Sequence, residues 1–164
     1  MNLYILNITI HILAAFVWLG GMLFFALVAA PVLRRIEPPE LRARLFEQLG
    51  ESFRIVGWIA IAVLLATGLI NLRLHGWLGP AARGEPQFWA SMAGRMLALK
   101  FACVAVMLLL SAIHDFWLGP AASAAKPGSR RREALRRTAS WIGRINAVVG
   151  VLLVYVAIRL TRGF

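Results

Sequence analysis

Four apolar runs, each long enough to cross the hydrocarbon of a bilayer, constrain this chain more than any other feature. They cover about residues 6–32, 55–74, 96–118 and 141–160. About 20 helical residues, rising about 1.5 Å each, span the roughly 30 Å hydrocarbon core. An open sheet would leave backbone N–H and C=O groups unpaired in lipid, so each run is predicted to be a helix. The composition agrees, since 60% of the residues are hydrophobic and only 15% are charged. The expectation is an all-α integral membrane four-helix bundle, up-down-up-down, with residues 1–164 as a single domain. No Lys or Arg precedes the first run, and its apolar core is longer than that of a signal peptide. It therefore reads as a retained helix.

The formal charge of +11 invites a nucleic-acid reading. Its placement fits membrane topology better. Arg34, Arg35, Arg42, Arg44 and Arg54 flank the first connection. Lys126 and six arginines between Arg130 and Arg144 crowd the third. By the positive-inside rule, connections 33–54 and 119–140 are expected in the cytoplasm of a bacterial inner-membrane protein, with both termini outside. The expected partners are lipid, with anionic head groups near the arginines, and a second copy or a larger membrane complex; no nucleic acid is expected. Cys103 is the sole cysteine, so no disulfide forms within the chain.

Residues 38–52 also look helical. Leu41, Leu45 and Leu49 recur every four residues, and Pro39 suits a first turn. The segment reads either as an interfacial helix over 39–50 or as an extension of the second helix, with a bend at Gly50. Trp77, Phe88 and Trp89 in the second connection are expected at head-group level. The third connection reads as loose. Gly20 with Gly21, and Gly143, Ala147 and Gly150, offer places where helices can approach closely.

Polar side chains inside a membrane are costly, so their depths matter. The topology puts His11 toward the outside and His114 toward the inside, roughly 20 Å apart along the membrane normal. Metal–nitrogen bonds of about 2 Å then forbid a shared ion. Two polar clusters are expected. The outer one holds Asn7 and His11 on one helix face, and Thr67, Asn71 and His75 on another. The inner one holds His114, Asp115, Arg144 and Asn146, with Asp115 pairing with Arg144. Met96, Cys103, Met107 and His114 lie along one face of the third helix, with Lys100 on the same stripe. Met22 shares a face with His11. Imidazole, thioether and thiolate suit Cu(I), though Met and Cys are also ordinary apolar residues in lipid.

Three segments carry a family likeness: IHILAAFVWLGGMLFFALVAAPVLRR, FRIVGWIAIAVLLATGLINL and LKFACVAVMLLLSAIHDFWLGP. They resemble the copper-resistance protein D (CopD) family. The motifs are a His before Trp-x-Gly-Gly, a Thr-Gly-x-x-Asn end to the second helix, and Lys…His-Asp-Phe across the third. The likeness covers most of the first 120 residues, and the fourth helix is generic. A more distant resemblance links the chain to HemJ-type protoporphyrinogen oxidases, small four-helix proteins associated with b-type haem. Where those have Leu-Pro-Arg-Leu-Phe, this chain has AAPVLRR.

The CopD resemblance implies copper transport or homeostasis and points to His11 and His114, then His75. In that scheme His11 and His75 capture copper, Met22, Cys103 and Met107 relay it, and His114 with Asp115 releases it. Asn71, Asp115, Arg144 and Asn146 give polar support. The alternatives are a haem b redox protein with His11 and His75 as the axial pair, and a structural subunit of a larger membrane complex. No enzyme nucleophile, phosphate loop or closed metal motif is visible. The topology has a direct test: a cysteine placed at Arg131 should react with an impermeant thiol reagent only from the cytoplasmic side of sealed vesicles. Labelling from the exterior would invert every depth given above.

Overall fold

The computed structural model describes residues 2–77, 79, 85–126 and 128–161. Its elements are α1 (Leu3–Leu33), α2 (Pro39–Leu74), α3 (Pro86–Ala90), α4 (Met92–Ala124) and α5 (Arg130–Thr161). No strand occurs among the described residues. The helices α1, α2, α4 and α5 are long and apolar enough to cross a membrane, which is the all-α, four-helix class that the apolar runs require. The chain divides into two compact units, Met1–Glu85 and Pro86–Phe164. Each is a hairpin of two long helices.

In the first hairpin, α1 and α2 run antiparallel, as the facing residues show. Tyr4 meets His75, with ring centroids 5.8 Å apart. Asn7 meets Asn71 and His11 meets Thr67. Further on, Trp18 lies beside Gly57 and Phe53 beside Gly21. Phe25 and Phe46 close the far end at 6.2 Å. In the second hairpin, Leu97, Cys103 and Met107 of α4 and Ala147 and Val156 of α5 are buried. Outward positions such as Leu109, Trp117, Val148 and Tyr155 are exposed and apolar, as a lipid-facing surface requires.

Helix starts follow short polar residues. The Asn2 side chain accepts from the Tyr4 N–H at 3.0 Å. Ser91 accepts from the Gly94 N–H at 3.1 Å, and Ser129 from the Arg132 N–H at 3.2 Å. Each satisfies one of the amides that a helix start leaves without an internal partner. Pro39 opens α2 as expected.

Of the two readings of residues 39–52, the extension of the second helix holds and the separate interfacial helix does not, because α2 runs through Gly50 without a break for 36 residues. At about 1.5 Å per residue it is about 54 Å long, far more than the roughly 30 Å of hydrocarbon. Phe46 of this segment packs on Phe25, while Leu41 and Leu49 stay exposed. The third connection is also more ordered than its composition suggests. Helix α4 continues to Ala124 and α5 begins at Arg130.

Some turns of these helices are wider than α-helical. Phe25–Ala29 and Ile113–Leu118 are π-helical, and each is followed by a proline two residues after its end, Pro31 and Pro120. Proline has no N–H, and its ring clashes with the carbonyl four residues back. In both cases the amide just before the proline reaches five residues back, Ala30 to the Phe25 carbonyl and Gly119 to the His114 carbonyl. The wide turn gives the ring room while the helix continues through membrane-embedded chain. A third π turn, Phe16–Gly20, has no proline and instead carries the buried Trp18.

The two adjacent glycines of α1 are not equivalent. A Cβ on Gly21 would collide with the Phe53 ring, whereas one on Gly20 would meet nothing within 4 Å. Gly21→Ala should destabilise the protein by about 1–3 kcal/mol through overpacking. Gly20→Ala should be neutral or mildly stabilising, as helix propensity favours Ala over Gly by up to about 1 kcal/mol. Unfolding titrations of the two variants in detergent would measure the difference.

Candidate functional site

The polar stripes of Asn7 and His11 on α1 and of Thr67 and Asn71 on α2 meet inside the first hairpin. The Asn7 amide donates to the Thr67 backbone carbonyl at 3.1 Å and to Asn71 Oδ1 at 2.8 Å. Asn7 and Thr67 are both buried. His11 Nδ1 lies 2.7 Å from Thr67 Oγ1, and the Thr67 hydroxyl lies 2.6 Å from the Val63 carbonyl. These two contacts assign the His11 tautomer. A carbonyl can only accept, so the one hydroxyl proton goes to Val63. The imidazole must then donate its Nδ1–H to Thr67, and Nε2 carries the lone pair of the neutral ring. Gly68 sits beside this ring, with room for ordinary contact at a Cβ 3.7 Å from His11 Cε1.

His75 is exposed at the end of α2. Its Nδ1–H donates to the Asn71 carbonyl at 2.8 Å, which also accepts the His75 backbone amide at 3.0 Å. Its ring lies between Tyr4 and Trp77, at centroid distances of 5.8 and 5.2 Å. Here too Nε2 is the lone-pair nitrogen. The Asn71 carbonyl thus takes two donors from His75, which ties the imidazole to the end of α2.

His11 and His75 do not fit one iron or copper ion. His11 faces Thr67 while His75 faces Tyr4, seven residues before His11. That offset is roughly 10 Å along the helix axis, whereas two nitrogens on one metal at about 2 Å each lie no more than about 4 Å apart. The expected bis-histidine haem site is not formed. More generally, no group of three or more His, Cys, Asp or Glu side chains is gathered for a metal among the described residues.

In the second hairpin, His114 and Asp115 sit in the π turn Ile113–Leu118 of α4. His114 Nδ1 lies 2.7 Å from Asp115 Oδ1. The His114 side chain is 42% exposed and that of Asp115 20%, so the imidazole is accessible while the carboxylate is held closer to the protein. Three residues back, buried Ser111 accepts from the Asn146 amide of α5 at 2.9 Å. The expected Asp115–Arg144 pair is not formed. Arg144 is exposed, with its guanidinium 5.1 Å from the Trp141 ring centroid. Stacking on that indole keeps the charge at the surface and avoids the cost of burying an ion pair.

The soft side chains are dispersed. Cys103 and Met107 are buried one turn apart in α4. Met22 is half-buried in α1, and Met96 and Lys100 are half-buried in α4. Gly143, expected at a close helix approach, has open space at its Cβ position. Sequence reasoning missed Tyr4 and Ser111. Tyr4 continues the stripe of Asn7 and His11 at helical spacing, and Ser111 lies three residues before His114, so helical periodicity carried a signal for both.

Replacing Thr67 tests how tightly the outer cluster is held. Thr67→Val keeps the volume but strips His11 of its acceptor and should cost about 1–3 kcal/mol. Thr67→Ser should restore most of that. Thr9→Val, which removes only an exposed hydroxyl bonded to its own helix, should be close to neutral. Unfolding in mixed detergent micelles would rank the three.

Comparison with known proteins completes the site's context. The model of the family "Copper resistance protein D" matches residues 47–160. An uncharacterized protein of Aquifex aeolicus (strain VF5) is 30% identical over 157 residues, covering 94% of this chain and 93% of that protein. No solved structure matches. The family match includes His75, Cys103, Met107, His114 and the fourth long helix, which had read as generic. It leaves out α1, with His11 and Met22. The comparisons add nothing to the HemJ-type likeness. Four membrane-length helices and a match over most of the chain support one conclusion: this is an integral membrane protein of the copper resistance protein D family.

Proposed function

We propose that the protein handles copper ions as cargo in the bacterial inner membrane, in transport or homeostasis. Its arginine-rich connections face the cytoplasm and both termini lie outside. Family membership supports a copper-related role, and the residues support a way of contacting the ion. The observation that carries the reading is the His114–Asp115 pair, a carboxylate holding the Nδ1–H of a half-exposed imidazole at 2.7 Å. Metal-binding histidines commonly show this arrangement, in which the carboxylate orients the ring and makes Nε2 a better donor.

The other two histidines follow the same logic with weaker acceptors. His11 donates to a hydroxyl and His75 to a backbone carbonyl, so all three rings keep Nε2 as the donor nitrogen. They are separate stations and not one chelate. His75, exposed beside Tyr4 and Trp77, serves for entry, and His11 lies deeper in the same hairpin. His114 with Asp115 serves for release at the arginine-rich end. Met22, Cys103 and Met107 supply soft donors for the relay. The protein's own contribution is to orient imidazoles and exclude water, with no bond-making chemistry. Such isolated stations suit transient occupancy, because a closed multi-ligand site would retain the ion.

Anaerobic titration of the purified protein with Cu(I) against a competing chelator tests the reading. Binding is expected, with His114→Ala weakening one component by about 10–100-fold and Asp115→Ala by a similar factor. A wild-type protein that takes up no Cu(I) would end the proposal.

A further inference from the structure

The contact between His114 and Asp115 is unusual for adjacent residues of a helix. In an α-helix successive side chains diverge by about 100°, so positions i and i+1 do not face each other. Here they meet at 2.7 Å. Both lie in the π turn Ile113–Leu118, where each residue advances by a smaller angle and neighbouring side chains lie closer together. That turn ends in the Gly119 amide bonding to the carbonyl of His114 itself. The next residue is Pro120, which has no amide to offer Phe116 and whose ring would strike that carbonyl in an α-helical turn.

The same arrangement occurs at Ala30–Pro31, where the Ala30 amide reaches the Phe25 carbonyl. One proline lesion thus gives one local geometry twice in the chain. Only the second copy carries titratable side chains, His114 and Asp115. A Cβ on Gly119 would meet the His114 carbonyl at 3.4 Å, an ordinary contact, so the turn does not depend on glycine there.

We propose that Pro120 is a positioning residue for the inner site: by enforcing the wide turn, it brings the Asp115 carboxylate onto His114 Nδ1 and so presents Nε2 as the donor. The use of that nitrogen for copper rests on the function proposed above. The positioning itself does not. With an amide at position 120, the ordinary i to i−4 ladder becomes available and Asp115 rotates away from the ring. His114 then loses its fixed tautomer.

The experiment is nitrogen NMR of ¹⁵N-histidine-labelled protein in micelles without metal, above the titration range of imidazole. In the wild type, His114 should show the Nδ1–H form. Pro120→Ala should move it toward the Nε2–H form that predominates in isolated histidine side chains, as Asp115→Ala should. Pro31→Ala, the matched lesion in the first hairpin, should leave the His114 signals in place and control for general loosening. Retention of the Nδ1–H form in a folded Pro120→Ala protein would overturn the proposal, as would an equal shift in Pro31→Ala. A parallel Cu(I) titration separates the two readings. A tautomer change together with wild-type protein that binds no Cu(I) sinks the copper reading and leaves the positioning role standing. Where copper binds, Pro120→Ala should weaken it about 10-fold or more, as loss of the orienting carboxylate does.

Discussion

Hydrocarbon supplies no hydrogen bonds, and that single deficit organises the protein. It forces the backbone into helices, because only a helix satisfies its own amides and carbonyls within one segment. It then acts on side chains. In the first hairpin, Asn7, His11, Thr67 and Asn71 are joined by contacts of 2.7–3.1 Å. In the second, Asn146 and Ser111 are joined at 2.9 Å. Such bonds add only about 0.6 kcal/mol on average between membrane helices. A stranded polar group costs about 1–3 kcal/mol. The larger figure is the relevant one, so these residues select which helix faces meet more than they add stability.

The coarse fold was legible because its cause is coarse. Long apolar runs leave no other secondary structure, and helical spacing alone placed Asn7 and His11 opposite Thr67 and Asn71. The errors came where a local competitor was invisible to periodicity. Gly50 reads as a break between two helices, but the helix continues through it, and Phe46 packs on Phe25. Asp115 reads as the partner of Arg144 because opposite charges attract. The guanidinium finds Trp141 without leaving the surface. Prolines signal a break to sequence rules, yet Pro31 and Pro120 widen a turn and the helix goes on. Depth alone made His11 and His75 look like an axial pair. Their partners on opposite helices hold them about two turns apart.

The three imidazoles share a chemical posture that no spacing rule contains. Each gives its Nδ1 proton to an oxygen of a different kind: hydroxyl, carbonyl or carboxylate. The strength of the acceptor grades the basicity of the opposite nitrogen, greatest where the partner is charged. The charged partner is at His114, whose Nδ1 lies 2.7 Å from Asp115 Oδ1. Arg144, the carboxylate's expected partner, stacks on the Trp141 indole instead.

The antiparallel clamp between α1 and α2 also bears on how the chain is made. Asn7 is synthesised 60 residues before the Thr67 carbonyl it binds. At about 5–20 residues per second, that is an interval of about 3–12 s. Throughout it, the nascent first helix carries an amide and an imidazole whose matching groups do not yet exist. Lipid offers those groups no partner, so the clamp closes only once α2 has emerged beside α1.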